Sequence, residues 1–164
     1  MPSTKTCRII PLGGLGEVGK NMTVYEHRGE TIVVDAGMAF PRDEHLGVDL
    51  ILPDYSYLRA SGKPVRAVIL THGHEDHVGG LPYLLREVGV EEVWATRLTL
   101  GFVKSKLDEH GLGRATTLRE VMPGGKPVEI GPFTLEFVRV AHSIPDAIAV
   151  VIETGAGRIV YTGV

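Results

Sequence analysis

The sequence of 164 residues holds one cysteine and one tryptophan, and aromatic residues make up only 6% of it. A single thiol excludes an internal disulfide framework and fits a reducing compartment. No apolar stretch approaches the roughly 20 residues needed to cross a bilayer. The first residues, Met1 to Thr6, run into strand-like sequence without the apolar segment of a secretory leader. A cytoplasmic protein without membrane contact is the expectation. A basic excess is also lacking: the formal net charge is -3, whereas a domain that grips nucleic acid unaided usually has a pI above about 9. Any such grip must come from a local patch, from bound cations or from other parts of a longer protein. Internal repeats, low-complexity tracts and linkers are absent. At 43% hydrophobic residues, the chain is long enough for one domain with a sizeable core.

What is present reads as a layered α/β domain. Strands are expected at Cys7 to Leu12, at Met22 to Glu26 and at Thr31 to Val34, the last two forming a hairpin around Arg28-Gly29. Pro41 to Pro53 reads as an irregular loop. Val65 to Leu70 is almost continuously apolar, as a strand buried on both faces requires. Leu81, Leu84, Leu85 and Val88 recur at helical spacing, with Pro82 in the first turn and Gly89 as the stop. A short strand at Glu92 to Ala95 follows. The stripe Leu98, Phe102, Val103 and Leu107 then marks a second helix, ending near Gly111, whose apolar face is assigned to the core. From Thr117 the pattern is β: Leu118 to Met122, Val128 to Ile130, Thr134 to Val140, Ile148 to Glu153 and Arg158 to Thr162.

The chemistry lies in Thr71-His72-Gly73-His74-Glu75-Asp76-His77. The run follows a buried strand and precedes a helix, where loops carry functional groups. Three imidazoles and a carboxylate so close together are costly to bury unpaired. They form a ligand set for divalent cations, zinc first. Extended backbone across Gly73 points His72 and His74 the same way. Asp76 and His77 come after the chain turns, so they face a second point nearby. His142, after the strand ending at Val140, is the candidate for the missing ligand to the first metal. Asp35, at the end of Thr31 to Val34, is expected to accept a hydrogen bond from a ligating histidine and fix its tautomer.

Two features are set aside. Gly14-Leu15-Gly16-Glu17-Val18-Gly19 satisfies G-x-G-x-x-G, but Lys20 to Tyr25 reads as a turn and a strand rather than the helix a dinucleotide site needs. His27, His45 and His110 are expected on the solvated surface.

The segment His72-Gly73-His74-Glu75-Asp76-His77 resembles the H-x-H-x-D-H signature of the metallo-β-lactamase superfamily. Pro11 to Asn21, Phe40-Pro41, Gly47-Val48-Asp49 and His142-Ser143-Ile144-Pro145-Asp146 narrow the resemblance to the N-terminal part of the ribonuclease J family, of the beta-CASP nuclease group. The resemblance covers essentially the whole chain. It implies an αββα sandwich, here its N-terminal part and incomplete, built of mixed β-sheet layers with about two helices. It implies two divalent metals, zinc first and manganese also accepted: His72, His74 and His142 on one, Asp76 and His77 on the other, the latter pair serving the chemistry. A hydroxide held between the metals would attack a phosphodiester of RNA, from the 5′ end and internally, in RNA decay and maturation. A loop with Gly13, Gly14, Gly16 and Asn21 would border the site.

The sequence also departs from that pattern. Where the family has an aspartate bridging both metals after Thr162-Gly163, this chain has Val164, which carries no ligand atom. Residues 1–164 read as part of one domain, with the beta-CASP and C-terminal domains absent. This short chain is therefore expected to cleave RNA weakly or not at all by itself, with an exposed apolar sheet face favouring self-association. The alternatives are a hydrolase of a small ester or thioester on the same fold, and a non-catalytic fragment.

Overall fold

The computed structural model describes residues 5–164; residues 1–4, on which part of the leader argument falls, lie outside the described residues. Ten strands and four helices follow in order: β1 (Cys7–Gly13), β2 (Met22–His27), β3 (Glu30–Val34), α1 (Ser56–Ser61), β4 (Val65–Ile69), α2 (Glu75–Val78), α3 (Leu81–Glu87), β5 (Val90–Ala95), α4 (Arg97–Glu109), β6 (Thr117–Glu120), β7 (Val128–Ile130), β8 (Phe133–Arg139), β9 (Ile148–Thr154) and β10 (Gly157–Tyr161). The first six strands form one sheet in sequence order. Strands β7 to β10 form a second sheet in the order β10-β9-β8-β7. In the first sheet β1, β2 and β3 pair antiparallel, and β3 through β6 run parallel. The second sheet is antiparallel throughout.

Alternation along the strands of the six-stranded sheet divides the core in two. Val24, Val33 and Val68 point to the helices, where they meet Leu58, Leu81, Leu84, Val103 and Leu107. Tyr25, Ile32, Val34, Ala67 and Ile69 point the other way, against Phe133, Leu135, Phe137, Ile148, Val150 and Ile152 of the second sheet. With both faces covered, β4 has no use for polar alternation, which is why its sequence is apolar almost throughout. The result is three layers: helices, a mixed sheet and an antiparallel sheet.

The mixed β-sheet layers expected of the N-terminal part of the sandwich are present, as a six-stranded and a four-stranded sheet. Several other sequence-based expectations need correction. The outer face of the four-stranded sheet is mixed rather than apolar: Val138 is 46% and Val160 60% exposed, but Glu136, Glu153 and Arg158 share that face and are also exposed. Two short helices, α1 and α2, went unforeseen because neither is long enough to show periodicity. In α4 the buried line is Thr99, Val103 and Leu107, while Leu98 and Phe102 are 36% and 44% exposed. The buried face is thus rotated from the apolar stripe of the sequence, with Thr99 in place of Leu98. His27 is buried, not solvated: β2 turns it between the sheets, its Nδ1 is 2.8 Å from Thr6 O, and its ring meets Phe133 edge-on. His45 is exposed, and His110 lies against Tyr83.

The layer assignment predicts unequal costs within one strand. Phe133→Ala should cost about 3–5 kcal/mol of unfolding free energy, because Phe133 is fully buried between the sheets. Val138→Ser, on the outer face, should stay within about 0.5 kcal/mol. Urea denaturation measures both, and equal effects would contradict the assignment.

Candidate metal centre

The candidate site sits at the carboxyl ends of the parallel strands β3 and β4, where α/β sheets place ligands. The register sets Val34 beside Ile69, so the residues that follow, Asp35 and Thr71-His72, emerge side by side. Asp35 N donates to Ile69 O at 2.8 Å. Asp35 holds φ +62°, an unfavourable backbone region for a residue with a side chain. The conformation turns its carboxylate back over the end of β4.

There the carboxylate is fully buried and collects donors. Thr71 N donates to Oδ1 at 2.8 Å, Thr71 Oγ1 lies 2.9–3.0 Å from both oxygens, and His77 Nδ1 lies 2.7 Å from Oδ2. Because Thr71 Oγ1 gives its proton to Asp35, it accepts from His72 Nδ1, 3.0 Å away. Asp35 thus fixes two tautomers, of His77 directly and of His72 through Thr71. Both imidazoles carry the proton on Nδ1 and turn Nε2 toward the cavity.

The other side chains converge from separate elements. His74 caps α2 in extended conformation. His142 comes from the β8–β9 connection, which is tied down by Ile148 N to Thr71 O at 3.0 Å, by Thr96 Oγ1 to Asp146 O at 3.1 Å and by the Arg139–Asp146 ion pair at 2.8 Å. One ligand atom from each of His72, His74 and His142 falls within a group no wider than 4.8 Å. Asp76 and His77 form a second group: Asp76 Oδ2 is 3.5 Å from His77 Nε2, and Asn21 Nδ2 lies 3.2 Å from each of those atoms. The rings of His72 and His77 stand 4.0 Å apart by centroid, so the two groups adjoin.

The groups gather around a cavity of about 540 Å³ lined by Glu17, Val18, Gly19 and Asn21, the five candidate ligands, and Val160 to Val164. The Gly-rich loop therefore faces the site through Glu17 to Gly19 and Asn21. Gly13 and Gly14 instead allow its tight return, since a Cβ on either would strike Lys20 O or Asn21 Oδ1. Gly16 stands in open space. Sequence reasoning gave no role to Thr71, whose hydroxyl is the link between Asp35 and His72. Nor did it foresee Tyr161, whose phenol is pushed up by burial and by the charge of Asp35.

The donor chemistry fits a divalent cation. His72 Nε2 is buried with no hydrogen-bond partner, which costs about 1–3 kcal/mol unless a ligand occupies it. His27 Nε2 is also unpaired, but that ring meets Phe133 edge-on and belongs to no convergence of imidazoles. Burial, with the neighbouring His77, His142 and His74, pushes the His72 pKa down to about 3, leaving its lone pair free. For His77, burial works downward, yet the Asp35 hydrogen bond and charge, helped by Asp76, outweigh it and leave the pKa raised.

A family model, the Metallo-beta-lactamase superfamily, matches residues 15–163. The ribonuclease J of Helicobacter pylori is 43% identical over 98% of this chain and 23% of its own length. That of Thermus thermophilus is 48% identical over 94% of this chain and 28% of its own. The chain thus spans about a quarter of the length of these curated relatives. Among solved structures, the metallo-beta-lactamase fold protein YhfI from Bacillus subtilis superposes with a TM-score of 0.65 at 18% identity, over 95% of this chain and 61% of that one. At that identity the match speaks for the fold alone.

The electrostatics predict opposite titrations for two adjacent rings in the metal-free chain. His72 should stay neutral from pH 8 to 4.5, while His77 takes up its proton above the ordinary 6.5. Unfolded His72 binds a proton near pH 6.5 that the folded chain refuses until about pH 3. His72 therefore withdraws stability as pH falls through that window. His77 acts in the reverse sense: its contribution is full below 6.5 and is lost as pH rises through its folded value. Imidazole nitrogen resonances followed against pH check the assignment, and His72 titrating near 6.5 would refute it.

Proposed function

The chain belongs to the metallo-β-lactamase superfamily, and from that premise we propose that it is the metal-bearing part of a ribonuclease J-type RNA hydrolase. The observation that carries the proposal is the pairing of two adjoining donor groups with the Glu17–Asn21 wall, in a chain 43–48% identical to ribonucleases J. The group of His72, His74 and His142 would hold one divalent ion, and Asp76 with His77 the other, as zinc or manganese. When bound, such a pair supplies Lewis acidity and an activated water for attack on phosphorus.

The chain's own residues do the rest. Asp35 holds His72 and His77 as Nδ1–H tautomers, so neither ring needs to reorganise for ligation. In the metal-free chain Asn21 spans Asp76 Oδ2 and His77 Nε2 from one amide nitrogen, holding the second pair of donors together until an ion takes the Nε2 lone pair. Glu17 to Gly19 and Val160 to Val164 line the same cavity, along which an extended RNA strand would pass. The Val164 side chain offers the cavity no donor atom, so among the described residues only the side chains of Asp76 and His77 would serve the second ion, and the chain is expected to cleave slowly by itself. In the whole protein the reading extends to 5′-exonucleolytic and internal cleavage in cytoplasmic RNA decay and maturation.

Incubating the metal-loaded chain with 5′-monophosphorylated RNA and, separately, with a thioester tests the reading. Slow metal-dependent loss of RNA, abolished by His74→Ala, is expected; thioester hydrolysis without RNA cleavage would overturn it. Asp35→Asn should lower metal affinity about 10–100-fold, and unchanged affinity by calorimetry would remove Asp35 from its orienting role.

A further inference from the structure

Helix α2 has four residues, too few to nucleate or hold itself, yet it carries both Asp76 and His77. Its backbone is held from one side: Asn21 N donates to Asp76 O, Ala36 N to His77 O and Met38 N to Glu75 O, at 2.8–3.1 Å. Successive side chains of a helix leave the axis about 100° apart. Here each of three meets a different partner. His77 goes to Asp35, Asp76 to Asn21, and Glu75 turns away from the metal cavity to Lys106 on α4. Lys106 Nζ lies 2.9 and 3.0 Å from the two Glu75 oxygens, and the pair is part-buried, with the Lys106 side chain 22% and that of Glu75 42% exposed. The Glu75 carboxylate lies against Gly79, where a Cβ would come within 2.5 Å of Oε2.

Helix α4 is a firm support for this contact. It spans 13 residues and is anchored by buried Thr99, Val103 and Leu107. One turn before Lys106, Phe102 covers Gly73, the residue between His72 and His74: a Cβ there would lie 2.5 Å from the ring and 3.4 Å from Ile144. Phe102 lies off the buried line of Thr99, Val103 and Leu107, and its ring packs on Gly73.

We infer that Lys106 is a positioning residue for the metal centre: by holding Glu75 it fixes the rotation of α2, and with it the direction in which Asp76 and His77 present their donor atoms. The inference rests on the metal reading given above. Without the ion pair, α2 keeps its backbone contacts but loses one of its three side-chain locks, and the second donor group is the one displaced.

The test is a Co²⁺ titration of the whole chain and its variants, read by absorption, beside the His77 Nδ1–H proton resonance of the metal-free chain. Lys106→Met should weaken the second Co²⁺ step about tenfold, the scale on which ligand-supporting contacts act, with the first step within twofold. The His77 resonance should broaden. Lys106→Arg should stay near the parent, and the charge-swapped pair Glu75→Lys with Lys106→Glu should recover most of the loss. Unchanged Co²⁺ steps and an unchanged resonance in Lys106→Met would overturn the inference. So would a swapped pair as weak as the single variant. A parent chain that takes up no Co²⁺ would instead refute the metal reading, and the resonance alone would then decide the role of Lys106.

Discussion

One buried carboxylate organises the site. Asp35 is fully buried and would be costly to ionise there without partners. Its partners are the backbone and hydroxyl of Thr71 and the Nδ1 of His77, so every interaction that makes its burial tolerable also orders a residue of the site. The strained φ of +62° is the cost of aiming it there. Relieving the strain would leave Thr71, His72 and His77 without a common reference.

Around that carboxylate the fold is a device for bringing distant segments to one point. The parallel register of β3 and β4 brings Asp35 to Thr71. The contact between the two sheets brings the β8–β9 connection, with His142, over His72. Helix α4 supports the rim through Phe102 and Lys106. Gly37 shows how tight the assembly is: a Cβ there would lie 1.7 Å from Asp76 O, so the loop after β3 and the segment carrying Asp76 and His77 are in backbone contact.

Much of this was legible in the sequence because local pattern encoded it. The apolar run of β4, the hairpin at Arg28-Gly29 and the histidine spacing each lie within a few residues. The placement of Asp35 at a strand end was legible for the same reason. What was not legible depends on contacts between distant segments. The pairing of Glu75 with Lys106 joins residues 31 apart with no local mark on either. Phe102 reads as core by periodicity but packs on Gly73 at the rim. His27 looks like a hairpin residue and is buried because a second sheet covers it. The Thr71 hydroxyl gains its role only once Asp35 has been folded over it.

The dispersion of the donors along the chain has a consequence for synthesis. His72, His74, Asp76 and His77 leave the ribosome together, but His142 follows roughly 70 residues later, a delay on the order of 4–14 s at about 5–20 residues per second. The loop that carries it is fastened to Thr71 through Ile148, which emerges later still. On the proposed metal reading, a nascent chain would offer cations only a partial, loosely held set of imidazoles, and firm capture would wait until the second sheet has closed over the first.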